Sequence, residues 1–324
     1  MDYNAECIAC GSKEFIPIAH NSELNQTREV IRCKVCGLAF VYPLPSSQEL
    51  ESFYVKEYSS GHKSYKKKSP VDCLNNLFSS IFLNLRLKER IKFLVLKKIE
   101  LANKEILEIG SSGGAFLNRL RKQKAAISGI EPSRIESELS RKRFGILPGA
   151  KETAELLPEH KAKYDIIFSY HILEHLNDPL AELKNIRQLL KKGGLLIGEV
   201  PATPKNPTNL SPAIKKSVFD NLHLFHYNPK AISGLFNKAG FSDIKVERIE
   251  LSSIVKKVYS EANIHYLHPS FEKGPLTKFF SFLQAGELIL KSFIGLSVMK
   301  PQKSTDLDSQ WKGPNDWIRF LVKN

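Results

Sequence analysis

The run Ile106-Leu107-Glu108-Ile109-Gly110-Ser111-Ser112-Gly113-Gly114-Ala115-Phe116-Leu117 decides how the rest of the chain is read. Its first four residues look like a short buried strand, its glycines make a tight turn, and its last three open a helix. Glycine lets the backbone approach a ligand closely, and a helix start offers N–H groups to a negative group. A nicotinamide site would carry G-x-G-x-x-G after the strand. Here an acid, Glu108, stands two residues before the first glycine, and the glycines fall at 110, 113 and 114.

Outward from this turn the pattern alternates. Strand-like runs are Glu105–Ile109, Ala126–Ile130, Tyr164–Tyr170, Leu195–Val200 and Ile244–Ile249. Helix-like stretches between them are Ala115–Gln123, Arg134–Phe144, Leu180–Leu190 and Pro229–Ala239. Short buried strands alternating with helices predict a mostly parallel sheet covered on both faces. Upstream, Leu83, Leu87, Ile91 and Val95 recur every fourth residue, predicting an amphipathic helix with a basic outer face. Residues 252–313 break the rhythm and read as a helical, aromatic insertion, a lid over the mouth of the sheet. Trp317–Val322 then reads as a closing strand. The expected division is 1–45, 46–103 (linker and basic helix), 104–251 (core), 252–313 (insertion) and 314–324 (closing strand).

Four of the five cysteines lie at the start, as Cys7-Ile8-Ala9-Cys10-Gly11 and Cys33-Lys34-Val35-Cys36-Gly37. Each C-x-x-C supplies two thiolates from one turn, and the following glycine lets backbone N–H groups face sulfur. Together Cys7, Cys10, Cys33 and Cys36 predict a closed, structural zinc ribbon. Cys73 stands alone and reads as a small apolar residue.

The composition, 42% hydrophobic and 25% charged over 324 residues, excludes a disordered or fibrous chain. A net charge of +14 favours an anionic partner. The polar start, Met1 to Glu6, predicts no signal peptide, and Leu276 to Met299 is broken by Lys278, Glu287 and Lys291. A cytoplasmic protein with no transmembrane segment is therefore expected. Peripheral membrane contact or a homodimer through the 252–313 segment is left open.

The opening motif resembles motif I of class I S-adenosylmethionine-dependent methyltransferases, usually E/D-x-G-x-G-x-G. Glu108, Gly110 and Gly114 match, and Ser112 replaces the middle glycine. Further matches are Ile127–Ser133 with Glu131 at a strand end, and Asp165 through His171-Ile172-Leu173-Glu174-His175 to Asp178-Pro179. Leu189–Pro201, with its Gly193-Gly194 turn, and His223-Leu224-Phe225-His226 followed by Ala239-Gly240-Phe241 complete the set. The resemblance implies a Rossmann-like α/β fold with a seven-stranded doubly wound sheet. It implies S-adenosylmethionine held by Glu108, Gly110, Ser111, Ser112, Gly114, Glu131, Pro132, Ser133 and His171, with Glu131 accepting both ribose hydroxyl hydrogens. The implied catalytic histidines are His223 and His175; His226 and Tyr58 are weaker candidates.

The zinc knuckles and the Phe53-Tyr54…Tyr58 segment resemble the front end of a subgroup that methylates sugars and other small metabolites. The expected reaction is methyl transfer to a small, anionic acceptor such as a nucleotide-linked sugar or a glycan or antibiotic precursor. Rivals are an RNA methyltransferase, nucleic acid being the less favoured partner because Asn206-Pro207-Thr208-Asn209 resembles no base-methylation motif, and a non-catalytic zinc-ribbon binding protein. His171-x-x-Glu174-His175 also spells the inverted zinc-protease motif. That chemistry needs both histidines on one helical face, whereas here the motif follows a strand.

Overall fold

The computed structural model describes residues 3–22, 27–50, 52, 70–203, 218–219, 222–251, 299–301 and 316–324. The chain divides into two compact units, one of Met1–Gly61, Leu101–Arg248 and Gln302–Asn324, the other of His62–Glu100 and Ile249–Pro301. In the first unit, β1 (Phe15–Asn21), β2 (Arg28–Cys33) and β3 (Ala39–Tyr42) form an antiparallel meander.

The second unit holds α1, Pro70–Leu96. The fourfold spacing misplaced its buried stripe. Leu87 is buried, but Leu83 and Val95 are 39% and 69% exposed. Each four-residue step turns about 40° past a full turn, so a strict fourfold series winds off any one face. The described residues buried on it, Leu85, Leu87, Arg90, Phe93 and Leu94, follow no fixed step.

The first unit continues with β4 (Glu105–Ile109), α2 (Ala115–Arg121), β5 (Ala126–Ile130), α3 (Arg134–Phe144), α4 (Thr153–His160) and β6 (Tyr164–Tyr170). After a 3-10 turn at Leu173–His175 come α5 (Pro179–Leu189), β7 (Leu190–Pro201), β8 (Phe225–His226), α6 (Pro229–Ala239) and β9 (Ser242–Leu251), whose last three residues are counted with the second unit. The closing strand is β11, Asp316–Lys323. The short strand β10, Met299–Pro301, pairs antiparallel with Ile249–Leu251 at the end of β9.

The expected α/β sheet is present, seven-stranded in the order β10-β9-β11-β7-β6-β4-β5. Parallel pairing joins β5 to β4, β4 to β6 and β6 to β7. β11 pairs antiparallel with β7, so Trp317–Val322 closes this sheet as the sequence predicts. A single parallel bridge, Ile130 to Ala150, follows β5. The interior is what a sheet covered on both faces requires: Leu107, Ile167, Leu196, Ile318 and Phe320 are all fully buried. Of the expected insertion, 252–298 and 302–313 lie outside the described residues; Met299–Pro301, read as helix from sequence, is strand. Backbone pairing with the end of β9 overrides its local pattern.

The helix ends follow local chemistry. Asp178 caps α5 by accepting from Ala181 N at 2.9 Å, and Pro179 opens the helix. Asn228 caps α6 in the same way through Ala231 N at 2.8 Å, ahead of Pro229, and Gly240 in the left-handed region ends it. No helix among the described residues is long and apolar enough to cross a membrane.

Gly198 sits where β6 and β7 approach most closely. A Cβ there would fall 1.8 Å from Ser169 O and 2.5 Å from the Phe320 ring. Gly198→Ala is expected to lower unfolding stability by about 1–3 kcal/mol, the range for overpacking a core. Urea unfolding of the variant with an unchanged midpoint would contradict this packing.

Candidate functional site

The Gly-rich turn is tied to the end of β5, where Ile130 O accepts from both Gly110 N and Ser111 N at 2.9 Å. Gly110 has φ +71°, and a Cβ on it would lie 2.2 Å from Ile172 Cδ1. Gly114 has φ +73° and packs so closely on α3 that a Cβ would lie 2.1 Å from Ser140 Oγ. Both glycines are thus demanded by backbone and packing. Ser112, in the place of a family glycine, also holds a positive φ, +46°. Its backbone N donates to Glu131 Oε2 at 2.7 Å, and its hydroxyl to Glu136 Oε2 at 2.9 Å.

Glu131 is buried at the end of β5, and burial pushes its carboxyl pKa up. Its other oxygen accepts from Ser133 N at 2.8 Å. Each oxygen keeps a second lone pair, so two backbone bonds orient the carboxylate without saturating it. Ser133 caps α3 through Glu136 N, Pro132 is exposed, and Glu108 and Ser111 are buried. The turn, Ser112 and Glu131 are therefore brought together as the motif implied.

His171 sits among carboxylates. It follows β6 with φ +59°; its Nδ1 lies 3.4 Å from Glu174 Oε1 and its Nε2 3.8 Å from Glu199 Oε2. Its neighbour Ile172 is the residue that covers Gly110. At the end of the 3-10 turn, His175 Nδ1 lies 3.1 Å from Leu222 O, and its ring centre is 4.9 Å from that of His223. His226 stands one ring further, 6.3 Å from His223. Burial pulls His175 down to about 4 and His226 to about 3. His223 is lowered too, by burial first and then by the neighbouring histidines. These rings are neutral at neutral pH. Tyr58 lies outside the described residues.

The four cysteines meet as expected. Their sulfurs lie within 4.8 Å of one another, with Cys7 to Cys36 at 3.4 Å and Cys10 to Cys33 at 3.6 Å. A tetrahedral zinc with bonds of about 2.3 Å wants sulfurs about 3.8 Å apart, so the donor set fits. A hydrogen bond from Cys36 pulls the Cys7 thiol down to about 5, and the backbone N–H groups of Cys10 and Ala9 act the same way. The same contact with Cys7 pushes Cys36 up.

Two features escaped the sequence reading. One is a buried ion pair across β7 and β11, where Arg319 and Glu199 stand opposite each other and Arg319 Nε donates to Glu199 Oε1 at 2.9 Å. The signal was a lone acid in Leu195–Val200 and a lone base in Trp317–Val322. The other is the seat of the cysteine module: β3 pairs with β8, Val41 N donates to Leu224 O at 2.9 Å, and Asn228 Nδ2 to Cys36 O at 3.0 Å.

Among known families, the one described as methyltransferase domain matches residues 81–246. The chain belongs to this family. A tRNA U34 carboxymethyltransferase of Wolinella succinogenes is 31% identical over 163 residues, 47% of this chain and 56% of that protein. A ubiquinone biosynthesis O-methyltransferase of Marinobacter nauticus is 30% identical over 120 residues, 34% of this chain and 50% of that one. The chain thus spans about half the length of these relatives. Among solved structures, a SAM-dependent methyltransferase from Archaeoglobus fulgidus aligns with TM-score 0.47 and 15% identity, covering 84% of this chain and 99% of that one.

The Glu199–Arg319 pair supplies a test of the wall behind His171. Arg319→Leu takes the guanidinium away from the buried Glu199 carboxylate and is expected to cost about 3–5 kcal/mol in urea unfolding. Adding Glu199→Leu should restore most of that loss; additive losses in the double variant would contradict the pairing.

Proposed function

We propose that the protein transfers a methyl group from S-adenosylmethionine to a small, anionic metabolite, a nucleotide-linked sugar or a related glycan or antibiotic precursor, and carries a structural zinc on Cys7, Cys10, Cys33 and Cys36. The observation that carries this reading is one short contact: Ile172 lies on Gly110, while two and three residues later Glu174 and His175 reach His223. The cofactor turn and a group of neutral histidines are thus neighbours beyond the carboxyl ends of the parallel strands, where ligands bind in such sheets.

Bound S-adenosylmethionine supplies a methyl group already activated by its sulfonium, so what remains is alignment and removal of the acceptor's proton. Glu131, pre-oriented by Ser112 N and Ser133 N, accepts the ribose hydroxyls with its remaining lone pairs. Gly110 and Gly114 let the backbone turn under the cofactor. His223 and His175 are unprotonated and ready to take the acceptor's proton.

The acid limb of the rate gives a direct test. Protonation would shut off either base, and burial has moved that protonation below the ordinary histidine value, to about 4 for His175. kcat/KM against nucleotide sugars is expected to stay level from about pH 7.5 to about pH 5.5, where an ordinary histidine base would have cost most of the rate. A limb centred near about pH 6.5 overturns the assignment. In calorimetry, Glu131→Ala should weaken S-adenosylmethionine by about 1.5–3 kcal/mol, the range for hydrogen bonds to a charged group. Wild-type affinity would mean the cofactor lies elsewhere.

Transfer to RNA is a second reading, supported by the relatives named as tRNA U34 carboxymethyltransferases and by the +14 charge. Its mark is RNA binding that falls steeply with salt, with no turnover of nucleotide sugars.

A further inference from the structure

We propose that Glu174, His175 and His223 form a second metal site, distinct from the four cysteines, that holds a first-row divalent cation beside the Gly-rich turn. One donor atom from each of the three lies within 4.8 Å of the others. Ligands of one tetrahedral ion with bonds of about 2.0–2.2 Å stand about 3.3–3.6 Å apart, inside that limit.

The donors are prepared by their surroundings. His175 places Nδ1 on Leu222 O, so that nitrogen carries the hydrogen and Nε2 keeps its lone pair. A ring held in this way by a backbone carbonyl is the usual support of a metal-ligating histidine. Glu174 is 1% exposed, a buried carboxylate for which a cation is the natural complement. His171 stands 3.4 Å from it and steadies its orientation from the other side.

The frame is cross-linked as well. Leu224 N donates to Glu174 O at 2.7 Å, and Tyr227 hydroxyl donates to Leu173 O at 3.0 Å. The turn bearing Glu174 and His175 is thereby pinned to the segment bearing His223. Two imidazoles and one carboxylate select zinc, iron, cobalt, nickel or manganese over magnesium or calcium, which want oxygen alone. Three protein ligands leave a tetrahedral ion with an open position, unlike the closed cysteine site. We assign that position to an oxygen of the methyl acceptor, whose proton a bound ion would acidify and release to water, so that with the ion in place His175 and His223 serve as its ligands rather than as free bases; this last step rests on the proposed methyl transfer, whereas the metal site does not.

Cobalt separates the two sites, because thiolate ligation gives intense near-ultraviolet charge-transfer bands and nitrogen–oxygen ligation does not. Full-length protein with zinc already on its cysteines is titrated with Co2+ alone, without cofactor or acceptor. The expected result is one further cobalt per chain, with weak visible bands and no thiolate charge transfer. His223→Ala should weaken that binding by more than about 100-fold, the upper range for losing even an outer-shell partner. Glu174→Gln, which keeps volume and hydrogen bonding, should do the same if His223→Ala fails to fold. S-adenosylmethionine affinity and melting serve as the fold check for both. Cobalt uptake confined to thiolate ligation, or second-site binding unchanged in either folded variant, overturns the proposal. Absence of methyl transfer in a protein that still takes up the second cobalt would sink the functional reading and leave this one standing.

Discussion

The pairing of β3 with β8 is the constraint on which the site depends. β8 is only Phe225–His226, yet the segment around it is held from three sides. Ala39 and Phe40 pair with it, Leu224 N reaches Glu174 O, and Leu224 O receives Val41 N. Two residues on, Asn228 uses one end of its amide to cap α6 and the other to hold Cys36 O. His223 has no regular element of its own. Its position is inherited from this joint, which makes the cysteine module part of the scaffold of the histidine group. β1 to β3 accordingly fall in one compact unit with β4 to β8 and β11.

Charge and burial are opposed throughout this region, and the opposition sets the chemistry. Glu131, Glu174 and Glu199 are all buried around the carboxyl ends of the parallel strands. Glu199 is matched directly by Arg319, and Glu131 by two backbone N–H groups. The histidines lie in the same poorly solvated zone, so the charged form of each is disfavoured and they remain lone-pair donors. Structure and function draw on one property here, since the desolvation that costs stability at the acids is what keeps the rings unprotonated.

Most of the sheet was legible because its signals are local. The strand, turn and helix around Gly110, the acid at Glu131, each C-x-x-C pair and the closing strand can each be read within a dozen residues. What stayed hidden depends on partners far apart in sequence. Glu199 and Arg319 are ordinary charges until β11 is laid antiparallel beside β7. Asn228 reads only as a helix cap, and nothing local reveals that Cys36 lies at the other end of its amide. The buried stripe of α1 was misplaced for a related reason, since what surrounds a helix chooses its face and a fourfold count alone does not.

The His171-x-x-Glu174-His175 spacing shows how context rewrites a motif. On a continuous α-helix the two histidines, four apart, would share one face and reach one ion together. Here β6 ends at Tyr170, His171 turns into the left-handed region, and the 3-10 turn begins only at Leu173. The rings therefore part company. His171 stands by Glu199 with the ring centre of Trp317 5.7 Å from its own, while His175 turns to Leu222 and His223. Glu174 lies between them, close to both. Five residues thereby join the closing strand of the sheet on one side to the segment braced by the cysteine module on the other, with Ile172 set on the cofactor turn in the middle. A protease-like motif thus becomes a joint in a methyltransferase fold, with its carboxylate between His171 on one side and the His175–His223 pair on the other.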